Sequence, residues 1–186
     1  MRFAPSLTRK FSTFLAPKFA CQRTSGHADN TDLNLLVSRL ADLLTAENVL
    51  LNLDVSNKRR LFELIALESE LRYNLSPSVT VDSLLARERL GSTGLGQGIA
   101  IPHGRIRGLK HSIGYFARPK APIIFEAPDG QPVRDIFVLL VPEAATDEHL
   151  QILSELAQRF STRAFRDALS AADDPVTIHA LFGAPQ

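Results

Sequence analysis

The sequence has a single cysteine, no tryptophan and no long apolar run. Cys21 has no second cysteine to pair with, so no disulfide forms within the chain, which fits a reducing compartment. No apolar run approaches the ~18 residues that a transmembrane helix needs, so this chain cannot by itself carry a solute across a membrane. We therefore expect a cytoplasmic protein that does not insert into membranes.

Patterns that hold metals or nucleotides are also missing. The five histidines are scattered, and His103 and His111 lack nearby carboxylates that would complete a zinc site. Gly94, Gly96 and Gly98 do not have the dinucleotide-binding spacing, and no Gly-Lys-Ser/Thr loop occurs. We expect neither a metal nor a cofactor, and a nucleotide-binding regulator remains an alternative that rests on this glycine run alone.

The net charge of +1 conceals an uneven distribution. Residues 1–28 carry five basic residues and no acid, whereas the remainder carries 16 basic and 20 acidic residues. This mildly acidic body argues against a nucleic-acid partner. The basic segment has three interpretations: a disordered tail, a targeting segment of mitochondrial type, or translation from an upstream start codon. We predict a leader over residues 1–30 and one domain over 31–186.

Helical and extended patterns alternate along the body, which predicts an α/β fold with helices on both faces of a sheet. Six apolar residues in a row, 136–141, predict a strand buried on both faces. Helices are predicted over 33–44, from an N-cap at Ser56 to 72 with Leu61, Ile65 and Leu71 inward, from an N-cap at Ser76 to 90, from an N-cap at Thr146 to 160, and over 164–170 and 175–182; strands are predicted over 49–53, 99–101, 113–117 and 135–141.

One histidine stands between a proline and a glycine at the end of a short apolar run. Pro102 has a fixed φ and donates no backbone hydrogen bond, and Gly104 allows the chain to turn away. This pattern predicts that His103 projects from a rigid strand end toward an approaching partner. A structural histidine is the alternative from this heptapeptide alone.

The surrounding sequence, RERLGSTGLGQGIAIPHG over residues 87–104, resembles the phosphorylation-site signature of the mannitol/fructose-type IIA domains of the bacterial phosphotransferase system. Within that family it is most similar to the nitrogen-regulatory IIA proteins. Residues 122–133 (PIIFEAPDGQPV), 139–142 (LLVP) and 148–150 (EHL) agree in the same order. The resemblance covers about residues 31–183 and implies a single mixed β-sheet flanked by helices on both faces.

The resemblance implies that His103 accepts a phosphoryl group from a phosphohistidine on a small carrier protein. Neutral imidazole at cytoplasmic pH is a suitable nucleophile. Arg87 and His149 match the charged positions of the family motif, and an arginine fork binds phosphate oxygens in pairs. The alternatives are an exposed, ion-paired Arg87 and a buried, packing His149. Helical spacing places His149 on the inward stripe of Leu153, Leu156 and Phe160.

Backbone or hydroxyl groups of Ser92, Thr93 and Gly104 are further candidates for binding phosphate, with turn capping as the alternative for Ser92 and Thr93. Gln97 stands where some sugar-transporting relatives carry an acid. The predicted glycine segment 91–98 is a turn that brings backbone close to His103.

Two functions fit these sequence features. The first is a regulatory protein whose phosphorylation state changes its binding to partners such as potassium transport or sensor proteins. The second is a IIA phosphocarrier subunit of a fructose- or mannitol-type sugar transport system. In both, the phosphoryl donor is a histidine phosphocarrier protein. No IIB-like domain or membrane span follows in this chain, which favours regulation.

Overall fold

The computed structural model describes residues 40–144 and 147–184, and it confirms the α/β class with a mixed six-stranded sheet. The described chain starts with a helical turn at 40–43 and a 3₁₀ turn at Ala46–Asn48. The strands are β1 (Val49–Leu53), β2 (Gly94–Gly96), β3 (Ile99–Ala100), β4 (His103–Ile106), β5 (Ile113–Pro119) and β6 (Asp135–Pro142). The longer helices are α1 (Lys58–Tyr73), α2 (Pro77–Arg89), α3 (Asp147–Ser161), α4 (Arg163–Ala171) and α5 (Pro175–Gly183).

The sheet has the order β1-β5-β6-β3-β2, and β4 lies beside β6 beyond the end of β3. Strand β6 is antiparallel to β5 and parallel to β3 and β4, while β1 is parallel to β5 and β2 antiparallel to β3. Strand β6 is thus paired along both edges. This explains its run of apolar residues, since both of its faces are also buried.

Strands β3 and β4 are two parts of one continuous path along β6. Ile99 is opposite Asp135 and His103 is opposite Leu139, so the register is unchanged across the break between them. The break lies at Pro102, which has no N–H to donate, although its carbonyl accepts from Leu139 N at 2.9 Å.

The prediction that the chain ends a strand at His103 and turns away at Gly104 is therefore wrong. Gly104 is needed because helix α2 crosses directly over it. A Cβ at this position would lie 2.7 Å from Ser83 Oγ and 3.3 Å from Leu84 N. The backbone approach of a helix to a strand, rather than a turn, requires the glycine.

Each face of the sheet has its own apolar core, as the sequence pattern predicted. One core packs α3, α4, α5 and the segment around Leu40 and Leu44 against Phe116, Phe137 and neighbours. The other packs α1, α2 and the loop before β6 against the opposite face, with Phe62, Tyr115 and Phe125 fully buried. Residues 99, 101 and 103 have the parity of the first face, while 104 and 106 have that of the second.

Several helix details differ from the predictions. Asn57, not Ser56, caps α1, because its Oδ1 accepts from Arg60 N at 3.0 Å. Leu71 is 81% exposed rather than inward, because the buried stripe of α1 runs through Leu61, Ile65 and Ser69. Ser76 is the N-cap of α2 as predicted, although its side chain makes no capping bond. The predicted cap Thr146 and residues 33–39 of the first helix lie outside the described residues.

Candidate active site around His103

His103 is the first residue of β4, and both of its ring nitrogens have hydrogen-bond partners. Nδ1 lies 2.9 Å from the carbonyl of Ile101, and the Nε–H of Arg87 donates to Nε2 at 2.9 Å. Because an arginine can only donate, Nε2 is unprotonated and Nδ1 carries the proton, which it gives to Ile101. Nε2 is therefore the nucleophilic nitrogen of a neutral, oriented imidazole.

Electrostatics also favour this neutral form. Burial of the half-buried ring lowers the pKa of His103 below its usual 6.5, and the positive charge of Arg87 and the nearby His149 lower it further. The bond to the Ile101 carbonyl and the charge of Glu88 act in the opposite direction without reversing the shift. A free lone pair is thus present on Nε2 throughout the neutral pH range.

Arg87 reaches His103 from the last turn of α2, on the other side of the sheet edge. Its Nη1 donates to the carbonyl of Gly91 at 3.0 Å, which fixes the direction of the guanidinium. The Nε–H of Arg87 occupies the same lone pair that must attack phosphorus. Arg87 therefore has to release Nε2 when a phosphoryl group arrives, and the released donors then face the phosphoryl oxygens.

His149 approaches the site from the opposite face of the sheet, in the first turn of α3. It is half-buried and close enough to affect the pKa of His103. Its stripe is the predicted one, since Leu156 and Phe160 are buried and Leu153 packs against the same core. Its Nδ1 is buried and has no hydrogen-bond partner among the described residues. An unmatched polar atom costs stability unless a ligand uses it, which favours a site role over packing.

The hydroxyls of Ser92 and Thr93 are engaged with the protein itself. Ser92 Oγ donates to the carbonyl of Phe125 and accepts from Gly94 N at 3.1 Å. Thr93 is buried, and its Oγ1 donates to Glu88 at 2.6 Å. These contacts hold the loop before β2. Phosphate binding by Ser92, Thr93 or Gly104 therefore stays a prediction.

The glycine segment is a short hairpin rather than a plain turn. Strand β2 pairs with β3, and the chain reverses at Gln97 and Gly98, both of which have positive φ. Gln97 N donates to Asp129 Oδ2 at 2.6 Å, so the loop before β6 supports the reversal. This bond and a second one from Gln131 N hold the pKa of Asp129 below its usual value. No helix begins directly after this glycine run, which leaves the nucleotide-binding alternative without support from the fold.

The sequence interpretation missed two charged residues beside the site, Glu88 and Lys58. Glu88 is nearly fully buried, and its Oε1 pairs with Lys58 Nζ at 3.0 Å. A signal was available: Glu88 lies four residues after the buried Leu84, which places it on the inward face of α2. In the described part of the chain, no group of three histidine, cysteine or acidic side chains is arranged to hold a metal.

The fold and this site define a class of protein. Residues 42–184 match the family described as phosphoenolpyruvate-dependent sugar phosphotransferase system, EIIA 2. The chain belongs to this family, as the resemblance of the motif predicted. Within the residues that the structure describes, no helix has the length and apolar character needed to span a bilayer.

Individual relatives narrow the comparison to one branch of the family. The chain is 43% identical over 135 residues to the nitrogen regulatory protein of Pseudomonas aeruginosa, covering 72% of this chain and 88% of that relative. It is also similar to the solved structure of nitrogen regulatory protein IIA-Ntr from Neisseria meningitidis. The two are 45% identical with a TM-score of 0.74, and the match covers 77% of this chain and 99% of that one.

The mannitol IIA domain of Escherichia coli has the same fold. Its TM-score to this chain is 0.60 at 21% identity, over 74% of this chain and 97% of that one. At that identity the likeness establishes the shared architecture alone.

Proposed function

We propose that this chain is a phosphoryl-accepting regulatory IIA protein of the nitrogen-related phosphotransferase system, phosphorylated on His103 by a histidine phosphocarrier protein. The observation that carries the proposal is the pair of bonds on the His103 ring. They leave Nε2 unprotonated, place the proton on Nδ1, and put a guanidinium against the attacking nitrogen. The similarity to nitrogen regulatory proteins supports the regulatory assignment.

In the proposed transfer, the Nε2 lone pair attacks the phosphorus of the donor's phosphohistidine. A new N–P bond forms on His103 while the N–P bond of the donor breaks, and its electron pair returns to the donor imidazole. Nδ1 keeps its proton against the Ile101 carbonyl, which holds the ring in the attacking orientation. Arg87 and His149 stabilise the negative oxygens, so catalysis consists of positioning and charge complementarity.

The rim of the site supports docking of a protein rather than a small molecule. Three exposed leucines flank the catalytic candidates: Leu90 is 85% exposed, Leu95 47% and Leu150 58%. Leu90 directly follows the helix that carries Arg87, and Leu150 is next to His149. Exposed apolar side chains beside a polar centre are typical of a transient protein interface.

The second candidate is a phosphocarrier subunit of a sugar transport system. One relative that favours it is the fructose-specific EIIA component of Haloferax volcanii, 38% identical over 98 residues. The regulated partners of the first candidate, such as potassium transport or sensor proteins, are also part of the proposal. Both candidates use the same His103 chemistry and differ in the acceptor of the signal or group.

The test is phosphorylation with phosphoenolpyruvate, enzyme I and the histidine carrier, followed by intact-mass measurement and peptide mapping. We expect one acid-labile phosphate on the wild type, none on His103→Ala, and normal labelling of the control His111→Ala, whose side chain is exposed. Acid-labile phosphate on His103→Ala would refute the assignment. Rapid discharge of the phosphorylated protein to a fructose-type IIB domain would favour the transport candidate.

A further inference from the structure

A buried acid-base network lies directly behind the site, and it connects α1, α2 and the loop before β2. Glu88 Oε1 accepts from Lys58 Nζ at 3.0 Å, and Glu88 Oε2 accepts from Thr93 N at 3.1 Å and from Thr93 Oγ1 at 2.6 Å. Lys58 Nζ also pairs with Glu126 at 2.9 Å. Although burial opposes its charge, these bonds raise the pKa of Lys58, so the network contains a fixed cation.

The network continues from Thr93 to the reactive ring through two backbone bonds. Thr93 O accepts from Ile101 N at 3.0 Å, and Ile101 O lies 2.9 Å from His103 Nδ1. Ile101 is therefore held on its N–H side by the loop and presents its carbonyl to the ring. The position of the Thr93 backbone fixes where that carbonyl stands.

The same loop also orients Arg87. Its Nη1 donates to the carbonyl of Gly91, and Gly91 has a φ of +147°, a backbone conformation that L side chains rarely adopt. Gly91 lies between Glu88 and Thr93, so the bonds that clamp Thr93 to Glu88 close a short loop around it. Both partners of the Arg87–His103 hydrogen bond are thus referred to one buried carboxylate.

We propose that Glu88, held by Lys58 and bound to Thr93, is the positioning residue that sets the Nδ1–H tautomer of His103 and the orientation of Arg87. Glu88 does not touch the reacting atoms. This inference rests on the proposed function for its kinetic consequence, but the tautomer can be measured without any phosphoryl donor. It gives Thr93 a role in orienting the site in place of phosphate binding.

The network is structurally costly for a purely structural purpose. A carboxylate that is buried must recover its lost hydration through bonds, and Glu88 does so with three donors. An apolar side chain would fill the same position beside Leu84 without that requirement. Its bonds instead converge on the loop and strand that hold the two reactive side chains.

The experiment compares four variants with the wild type: Glu88→Gln, Thr93→Val, Thr93→Ser and Lys58→Met. Nitrogen NMR of labelled histidine measures the fraction of His103 in the neutral Nδ1–H form. Single-turnover transfer from the phosphorylated carrier measures the rate at saturation and the half-saturating carrier concentration. Glu63→Gln and Thr80→Val are matched controls, because Glu63 pairs with Arg59 and Arg60 on α1, and the buried Thr80 hydroxyl bonds to Ser76 within α2.

We expect Glu88→Gln, Lys58→Met and Thr93→Val to mix the two tautomers and to slow transfer at saturation by roughly tenfold or more, the effect of losing one charged hydrogen bond. The half-saturating carrier concentration should stay unchanged, since the docking rim is intact. Thr93→Ser should restore both readouts because it keeps the hydroxyl. Thr93→Val retains the backbone bond to Glu88, so it provides the test even if Glu88→Gln does not fold.

Wild-type nitrogen shifts in Thr93→Val, or equal behaviour of Thr93→Val and the Thr80→Val control, would overturn the proposal. Slower transfer with an unchanged tautomer would also overturn it. If the wild type accepts no phosphoryl group from the carrier, the proposed function fails, while the tautomer comparison still decides the role of Glu88.

Discussion

At the scale of single residues, the site works by holding one imidazole neutral and aimed. The motif was sufficient to predict His103, Arg87 and His149, because a family signature specifies residue types at fixed spacing. It could not predict that Arg87 donates to the attacking nitrogen itself, since that depends on where the last turn of α2 meets the edge of β4. The buried Glu88 was missed for a related reason: a charged residue on a helix is ordinarily exposed.

Removing the charge of Arg87 should make His103 easier to protonate. We expect Arg87→Met to raise the pKa of His103, because the guanidinium is one of the groups that lower it. In the wild type, phosphoryl acceptance is expected to persist as the pH falls through 6.5 and to decline only near the lowered pKa. In Arg87→Met this acid limb moves to higher pH.

Histidine NMR titration and the pH profile of single-turnover transfer measure the effect. Arg89→Met is the control, because Arg89 is exposed on the same helix end and is not among the groups that shift the pKa of His103. An unchanged His103 pKa in Arg87→Met would contradict the electrostatic role of Arg87.

His149 distinguishes a site role from a packing role. We expect His149→Ala to slow transfer by about 10²–10³, as is common when one charge-stabilising contact is lost. Leu153→Ala, one turn further along the same half-buried stripe, should lower Tm with little effect on transfer. Thermal melts and single-turnover rates compare the two variants. A large drop in Tm with normal transfer for His149→Ala would support packing instead.

At the scale of elements, the order of helices and strands followed from the sequence, while the path around His103 did not. Pro102 and Gly104 are local signals of a turn. Tertiary structure outweighs them here, because β6 offers an unbroken parallel edge and Gly104 meets α2 at close range. In the same way, the glycine segment became a hairpin because β3 was available as a partner.

The close approach of α2 to β4 predicts a large effect for a single methyl group. Gly104→Ala places a Cβ 2.7 Å from Ser83 Oγ and 3.3 Å from a backbone nitrogen, so α2 must shift or β4 must bend. Overpacking of this kind costs about 1–3 kcal/mol of unfolding free energy. Urea unfolding and Tm should both register it.

Gly183→Ala is the matched control for that substitution. A Cβ there would lie 3.4 Å from Ala41 Cβ, an ordinary contact, at the end of α5. We expect an unchanged or slightly higher stability, since alanine favours helix over glycine. If Gly104→Ala were as stable as Gly183→Ala, the helix–strand contact would not be the reason for the glycine. Because Arg87 is on the same helix, Gly104→Ala should also slow transfer.

At the scale of the whole molecule, helices cover both faces of the sheet, and the catalytic candidates come from both sides. Arg87 belongs to a helix on one face and His149 to a helix on the other, and they meet His103 where the sheet edge lies between them. The alternating sequence pattern could predict the two layers. It could not predict which helix ends converge, since that depends on the strand order β1-β5-β6-β3-β2.

The basic leader is the last test of how the molecule is organised, and we predict that it is dispensable for both folding and phosphoryl acceptance. Residues 1–28 carry five like charges and two prolines without helical or strand periodicity, so their sequence offers little apolar surface to offset an ordering cost of ~1–2 kcal/mol per residue. Deleting them should leave Tm and the phosphorylation of His103 unchanged. The control deletion of residues 1–44 should lower Tm strongly, because it removes Leu40 and Leu44, which are fully buried in the core with α5. A comparable loss for the two deletions would mean that the basic segment docks on the acidic body, and salt would then weaken that contact because exposed charges are screened.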